Sequence, residues 1–76
     1  MGKGQLKNDE LIKKIVLLIK QLREERCLTQ EDVYNDTGIH IARIETGKVN
    51  ISISTLQALT MYFEISLEAF FSQINL

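Results

Sequence analysis

The sequence predicts an all-α domain, and three observations carry that prediction. No proline interrupts any of the 76 residues. Apolar positions recur at three- and four-residue spacing in several segments, each opened by a residue suited to cap a helix. The one alternating stretch, Ile51-Ser52-Ile53-Ser54, is four residues long and has no evident partner strand, too little to make a sheet. An apolar fraction of 45% supports a single core, close to the smallest size that folds without staples or a partner. The expected architecture is a five-helix bundle with helices at about 9–26, 29–35, 37–46, 53–63 and 66–74. A flexible tail over 1–7, rich in Gly and Lys, precedes one domain over 8–76.

The first helix has Asn8 or Asp9 as its cap, acids at its start and bases toward its end, the order the helix dipole favours. Leu11, Ile12, Ile15, Val16, Leu18, Ile19 and Leu22 form a face wider than one packing stripe needs. Leu11 and Leu17 fall at its edges. The helix therefore reads as the central strut, with a sharper alternative in which its first two turns reach past the core to a second subunit. Thr29 caps the next helix, with Asp32 three residues on as in a capping box. This helix turns Val33, and Tyr34 at its margin, inward and is expected to end at Asn35-Asp36.

Asp36 or Thr37 then caps the third helix, which runs through Glu45 and stops at Gly47 in left-handed conformation. On a helical wheel Ile41 and Ile44 face inward. Ile39, Ala42, Arg43 and Thr46 point away, with Gly38 and His40 at the flanks. Ser52 or Ser54 opens the fourth helix, whose Leu56, Leu59, Met61, Tyr62 and Phe63 make a broad apolar face. Glu64 stands where a glycine would more easily end that helix. Ser66 caps the last, in which Phe70 and Phe71 are the large core pieces. Leu67, Phe70, Phe71 and Ile74 read as core first and as a seam between two copies second, because Asn75-Leu76 leave little to cover them.

Composition excludes several classes of function. A single cysteine forbids an intramolecular disulfide framework and a Cys-based zinc site. Cys27 reads as a small packing residue near a helix end rather than a reactive thiol. His40 stands thirteen positions from it with no third ligand, so no metal is expected. No carboxylate pair flanks a plausible cleft and no glycine-rich phosphate loop exists, so neither catalysis nor a cofactor is expected. The longest apolar run, 15–19, is bounded by Lys13, Lys14 and Lys20, far short of the roughly 20 residues that span a bilayer. With no secretory signal either, a cytoplasmic location is expected.

The net charge of −1 argues against avid nucleic-acid binding. Its distribution softens the argument: residues 1–26 carry seven basic and four acidic side chains, a local +3, while 27–48 carry two basic and four acidic.

Taken in order, L-R-E-E-R-C-L-T-Q-E-D-V, I-A-R-I-E-T-G-K and S-T-L-Q-A-L-T-M-Y-F-E-I-S-L-E-A-F-F resemble the phage-repressor and Cro (XRE-type) helix-turn-helix family, over about residues 11–71. The chain departs from the family between Thr29 and Ile44, where it is about three residues shorter. One repair deletes a turn of the second helix, puts Thr37 at the cap of the recognition helix and removes Gly38 from the turn. The other keeps Gly38 in the turn and shortens the recognition helix. The first is expected, because I-A-R-I-E-T-G keeps its register and Asn35-Asp36-Thr37 supplies a break. Tyr34 occupies a position where the family commonly has a small residue, which implies a changed angle between the two helices.

The resemblance implies a DNA-binding transcriptional regulator acting as a homodimer on a two-fold operator, with its third helix in the major groove. Repression by covering a promoter is the simplest mechanism. Arg43 is the one long donor on the outward face and suits guanine O6 and N7. Ile39 suits a thymine methyl or a protein surface. His40 suits a phosphate or surface packing. Thr29 and Gln30 lie at a helix N-terminus, where backbone N–H groups favour phosphate. The resemblance places Thr46, Lys48 and Asn50 against the DNA backbone, and Thr37 and Gly38 border the same face. It also makes Glu45 a structural residue that ties the recognition helix to neighbouring backbone. A rival reading uses the fold as a protein-interaction module, antitoxin-like or anti-repressor, supported by the acidic balance of 27–48 and by Ile39.

Overall fold

The first helix, α1 (Asp9–Glu25), is more than half again as long as any other and serves as the strut against which the rest pack. Asp9 and Glu10 sit at its positive end and Arg23 in its last turn. Ile12, Ile15, Val16, Leu18, Ile19 and Leu22 are all buried, whereas Leu17 is 67% exposed. Ile12, in the first turn of α1, already belongs to the core of this chain. The structure is a computed structural model that describes residues 9–74. The tail expected over 1–7, the cap at Asn8 and the last two residues lie outside the described residues.

Cys27 ends α1 in left-handed conformation, φ 57°. Its N–H donates to the Glu24 carbonyl at 3.0 Å and that of Leu28 to the Arg23 carbonyl at 3.1 Å, a Schellman closure. The thiol is exposed, not packed as the sequence suggested. Its backbone position turns it outward, while Leu28 supplies the packing side chain.

The second helix, α2 (Gln30–Thr37), has a complete capping box. The Asp32 N–H donates to Thr29 Oγ1 at 3.0 Å, and the Thr29 N–H donates to the Asp32 carboxylate at 2.9 Å. Here the expectation for the turn fails. The helix does not break at Asn35-Asp36 but runs on to Thr37, and Gly38 closes it at φ 76° with its N–H on the Tyr34 carbonyl at 2.8 Å. The conformation needs no side chain and favours Gly, so Gly38 is the turn glycine after all. Thr37 does not cap the next helix. Its hydroxyl donates to the Val33 carbonyl at 2.7 Å and accepts from the Ile39 N–H at 3.0 Å, stitching the turn shut. Tyr34 lies outward, 45% exposed.

The missing residues are therefore taken from the third helix, α3 (Ile41–Ile44), a single turn whose start at His40 has no side-chain cap. It continues as a turn to Gly47, φ 76°. Ile41 and Ile44 anchor it, 1% and 7% exposed. The fourth helix, α4 (Ile53–Tyr62), is capped by Ser52, which accepts from the Thr55 N–H. It buries Leu56, Leu59 and Thr60 but leaves Met61 69% exposed, contrary to its expected inward place. Glu64 ends it at φ 61° with the same Schellman pair that closes α1. Ser66 caps α5 (Leu67–Ser72) through the Ala69 N–H. Phe70 is fully buried, whereas Phe71, also expected in the core, remains 37% exposed because it lies on the next face of the helix.

Phe63, Phe70, Ile19, Ile41, Leu59 and Val33 form the innermost layer, so every helix and the end of α4 contribute to one core. Arg26 locks the ends of α1 and α4 together. One guanidinium nitrogen donates to the Phe63 carbonyl at 2.6 Å, another to the Leu22 carbonyl at 3.0 Å, and the group lies 5.5 Å over the Phe63 ring. On the far side, Tyr62 donates to the Asp36 carboxylate at 2.5 Å, which pushes its phenol pKa up to about 12.

Candidate nucleic-acid interface

The surface of interest is built around α3. Because that helix is one turn long, few side chains can project from it: Ala42 and Arg43 stand outward, and Thr46 follows in the turn, all three exposed. The Arg43 guanidinium has no hydrogen-bond or ion-pair partner among the described residues; neither Glu45 nor Asp36 engages it. Thr46 turns its hydroxyl back onto the chain, donating to the Arg43 carbonyl at 2.6 Å and accepting from the Lys48 N–H at 3.2 Å.

A buried polar unit fixes this surface from behind. Glu45 receives a forked pair of bonds from Arg23, Nε at 2.8 Å and Nη2 at 3.0 Å, with both side chains at most 10% exposed. The fork matches carboxylate geometry. Arg23 also donates to the Leu28 carbonyl at 2.8 Å, and Gln30 Nε2 donates to Glu45 at 2.8 Å. Glu45 therefore ties α3 to two side chains, and reaches backbone only through Arg23, which corrects the direct backbone tie expected of it. The hydrogen bond to Glu45 raises the Arg23 pKa above its ordinary value.

Two concavities flank α3. One, of about 420 Å³, gathers Gly38, Ile39, His40, Arg43 and Asn50 over a floor that includes Ile44. The other, of about 330 Å³, is lined by Lys20, Arg23, Gln30, Ala42, Glu45 and Thr46. Seven of the ten candidate residues thus border α3. Thr29, Thr37 and Lys48 line neither concavity: Thr29 is occupied in the capping box and Thr37 in the turn. Lys48 is exposed just past Gly47. Ile39 is half-buried against the core rather than free on the surface, which withdraws one support for a protein-interaction module. His40 is exposed, with its ring 4.6 Å from that of Tyr34.

Two residues escaped the sequence reading. Arg23 falls among the apolar positions of α1, and a charge within such a stripe is a signal for a buried partner; the inward Glu45 was the matching half. Lys20, an ordinary exposed lysine in sequence, gave no signal. Among the described residues no group of His, Cys, Asp or Glu is arranged to hold a metal ion, and no helix is long and apolar enough to cross a membrane.

Among the described residues, five helices with a tight α2–turn–α3 unit, anchored from below and carrying Arg43 outward, define a helix-turn-helix protein. The family profile described as helix-turn-helix matches residues 19–70, which is 52 of the 76 residues. The chain belongs to the XRE-type helix-turn-helix family, a family of DNA-binding regulators. No curated protein and no solved structure matches it.

Proposed function

We propose that residues 8–76 form one DNA-binding domain of a cytoplasmic transcriptional repressor that binds a two-fold operator as a homodimer. The observation that carries this reading is Arg43: an exposed guanidinium without a partner among the described residues, on the outward side of a helix held by the Arg23–Glu45 bonds. In helix-turn-helix geometry such a helix enters the major groove, and Arg43 forks onto guanine O6 and N7. Asn50 and Lys48, past Gly47, approach the phosphates of one strand. Thr29 and Gln30, at the start of α2, approach those of the other. His40 and Ile39 border the groove.

The dimer follows from reach and charge. One turn of helix reads few base pairs, and a chain of net charge −1 gains little from phosphates. Two copies double both contributions, with half-sites about 34 Å apart. A dimer lying across one helical turn covers the DNA it binds, so repression by occlusion needs no further part.

The test is selection of binding duplexes from a randomised pool, followed by mobility-shift titration. Arg43→Ala is expected to weaken binding to a selected duplex by about 5- to 150-fold, the equivalent of 1–3 kcal/mol, and to relax preference at a single base position. If Arg43→Ala separates selected from scrambled duplexes as well as the parent chain does, the reading face is elsewhere.

A further inference from the structure

The concavity on the α1 side of α3 has a composition that the reading face alone does not explain. Its lining holds three charged groups: Lys20, Arg23 and Glu45. Arg23 and Glu45 neutralise each other through their forked bonds, which leaves the lining with a charge of +1 located on Lys20. The Lys20 side chain is exposed and has no carboxylate partner among the described residues. Glu24, one turn further along α1, approaches Arg23 at 4.0 Å instead. The same lining includes the Gln30 carboxamide and Thr46. One N–H of Gln30 is given to Glu45, and the second remains to donate.

We propose that this concavity seats a phosphodiester of the DNA backbone, with Lys20 as a contact supplied by α1. The inference rests on the DNA-binding reading above and adds to it a contact from outside the helix-turn-helix unit. The geometry is that of a ridge between two troughs: α3 is the ridge, Arg43 overlooks one trough and Lys20 lines the other. A helix lying in the major groove has a sugar-phosphate strand on each side of it, and a trough with one unpaired cation and a spare amide N–H fits a singly charged phosphodiester. The carboxylate in the trough does not oppose the seat, because it is 5% exposed and already paired.

The test compares Lys20→Gln with Lys13→Gln, an exposed lysine of α1 that lines neither concavity. Both remove one charge, so a long-range effect of net charge weakens the two equally. Binding is titrated against salt on a mixed-sequence duplex and on a selected duplex, with circular dichroism to establish that each variant is folded. Lys20→Gln is expected to reduce the salt slope by about 0.9 per seated phosphate, hence about 1.8 for a dimer. The loss should be the same on both duplexes, and Lys20→Arg should restore it. Equal slopes for Lys20→Gln and Lys13→Gln, with the parent chain still binding, overturn the phosphate seat and leave the DNA reading standing. Failure of the parent chain to bind any duplex overturns both. Competition by inorganic phosphate at millimolar concentration, abolished in Lys20→Gln but without a change in salt slope on DNA, would assign the seat to free phosphate and overturn the DNA contact.

Discussion

Thr29 and Asp32 exchange two hydrogen bonds at the start of α2, and this makes the cap titratable. The Thr29 backbone N–H, and next its hydroxyl, hold the Asp32 carboxyl below its ordinary pKa of 3.8. A depressed folded-state value means that the stabilisation is complete above the unfolded pKa and is lost as pH falls through the folded one. Stability from this source is therefore constant near neutrality and declines only in acid. Asp32→Asn is expected to flatten the acid limb of a thermal-melt series while leaving the neutral region parallel to the parent. A parallel acid limb in the variant would show that the cap does not titrate. The cap was legible in sequence, since T-x-x-D specifies it locally. Cys27 was not: its residue type suggests burial, and only the backbone geometry at the end of α1 places the thiol outside.

At the scale of elements, the α2–α3 unit depends on a charge pair that the sequence divides between distant positions. Arg23 and Glu45 are 22 residues apart and nearly dry. Removing one member leaves the other buried without compensation, at a cost of about 3–5 kcal/mol. Glu45→Ala is accordingly expected to destabilise by about 3 kcal/mol in urea unfolding. Arg23→Met combined with Glu45→Leu should lose less than Glu45→Ala alone, since apolar replacement of both partners is often neutral. An additive double variant would mean that the pair carries no coupling.

The helix count, the caps at Thr29 and Ser66 and the stop at Gly47 were readable, because each is decided by neighbours in sequence; for the fourth helix the sequence left Ser52 and Ser54 open, and Ser52 is the cap. The division of residues between α2 and α3 was not. Asn35, Asp36 and Thr37 are polar turn formers that are also tolerated in a helix, and a glycine one position later, able to adopt φ 76°, decided the matter. Likewise the outward place of Arg43 followed from spacing, whereas the trough beside Lys20 exists only once α1, α2 and α3 are packed.

For the whole molecule, a chain of this length has a total stability of roughly 4–11 kcal/mol. Such a sum is small enough that backbone strain at two positions matters. Cys27 and Glu64 both occupy the left-handed position of a Schellman closure, at φ 57° and 61°, where glycine adopts the conformation without the side-chain penalty. Replacing each by Gly relieves that penalty but loosens the unfolded chain, for a net gain of about 0.5–1 kcal/mol per site. The pair Cys27→Gly and Glu64→Gly, a gain of about 1–2 kcal/mol together, is expected to raise the melting temperature by about 4–16 °C. An unchanged or lowered melting temperature would mean that these residues sit there without strain.

Those two helix ends bear on how such a regulator can acquire a new target. If α3 reads bases as proposed, changes there tend to cost stability, because the helix is one turn long and rests on Ile41 and Ile44. Cys27 and Glu64 lie outside both concavities beside α3, so glycine at either site would stabilise the scaffold without touching the proposed reading surface. If Arg43 sets specificity as proposed, a stabilising glycine acquired first would leave room for an altered arginine that the parent chain could not tolerate.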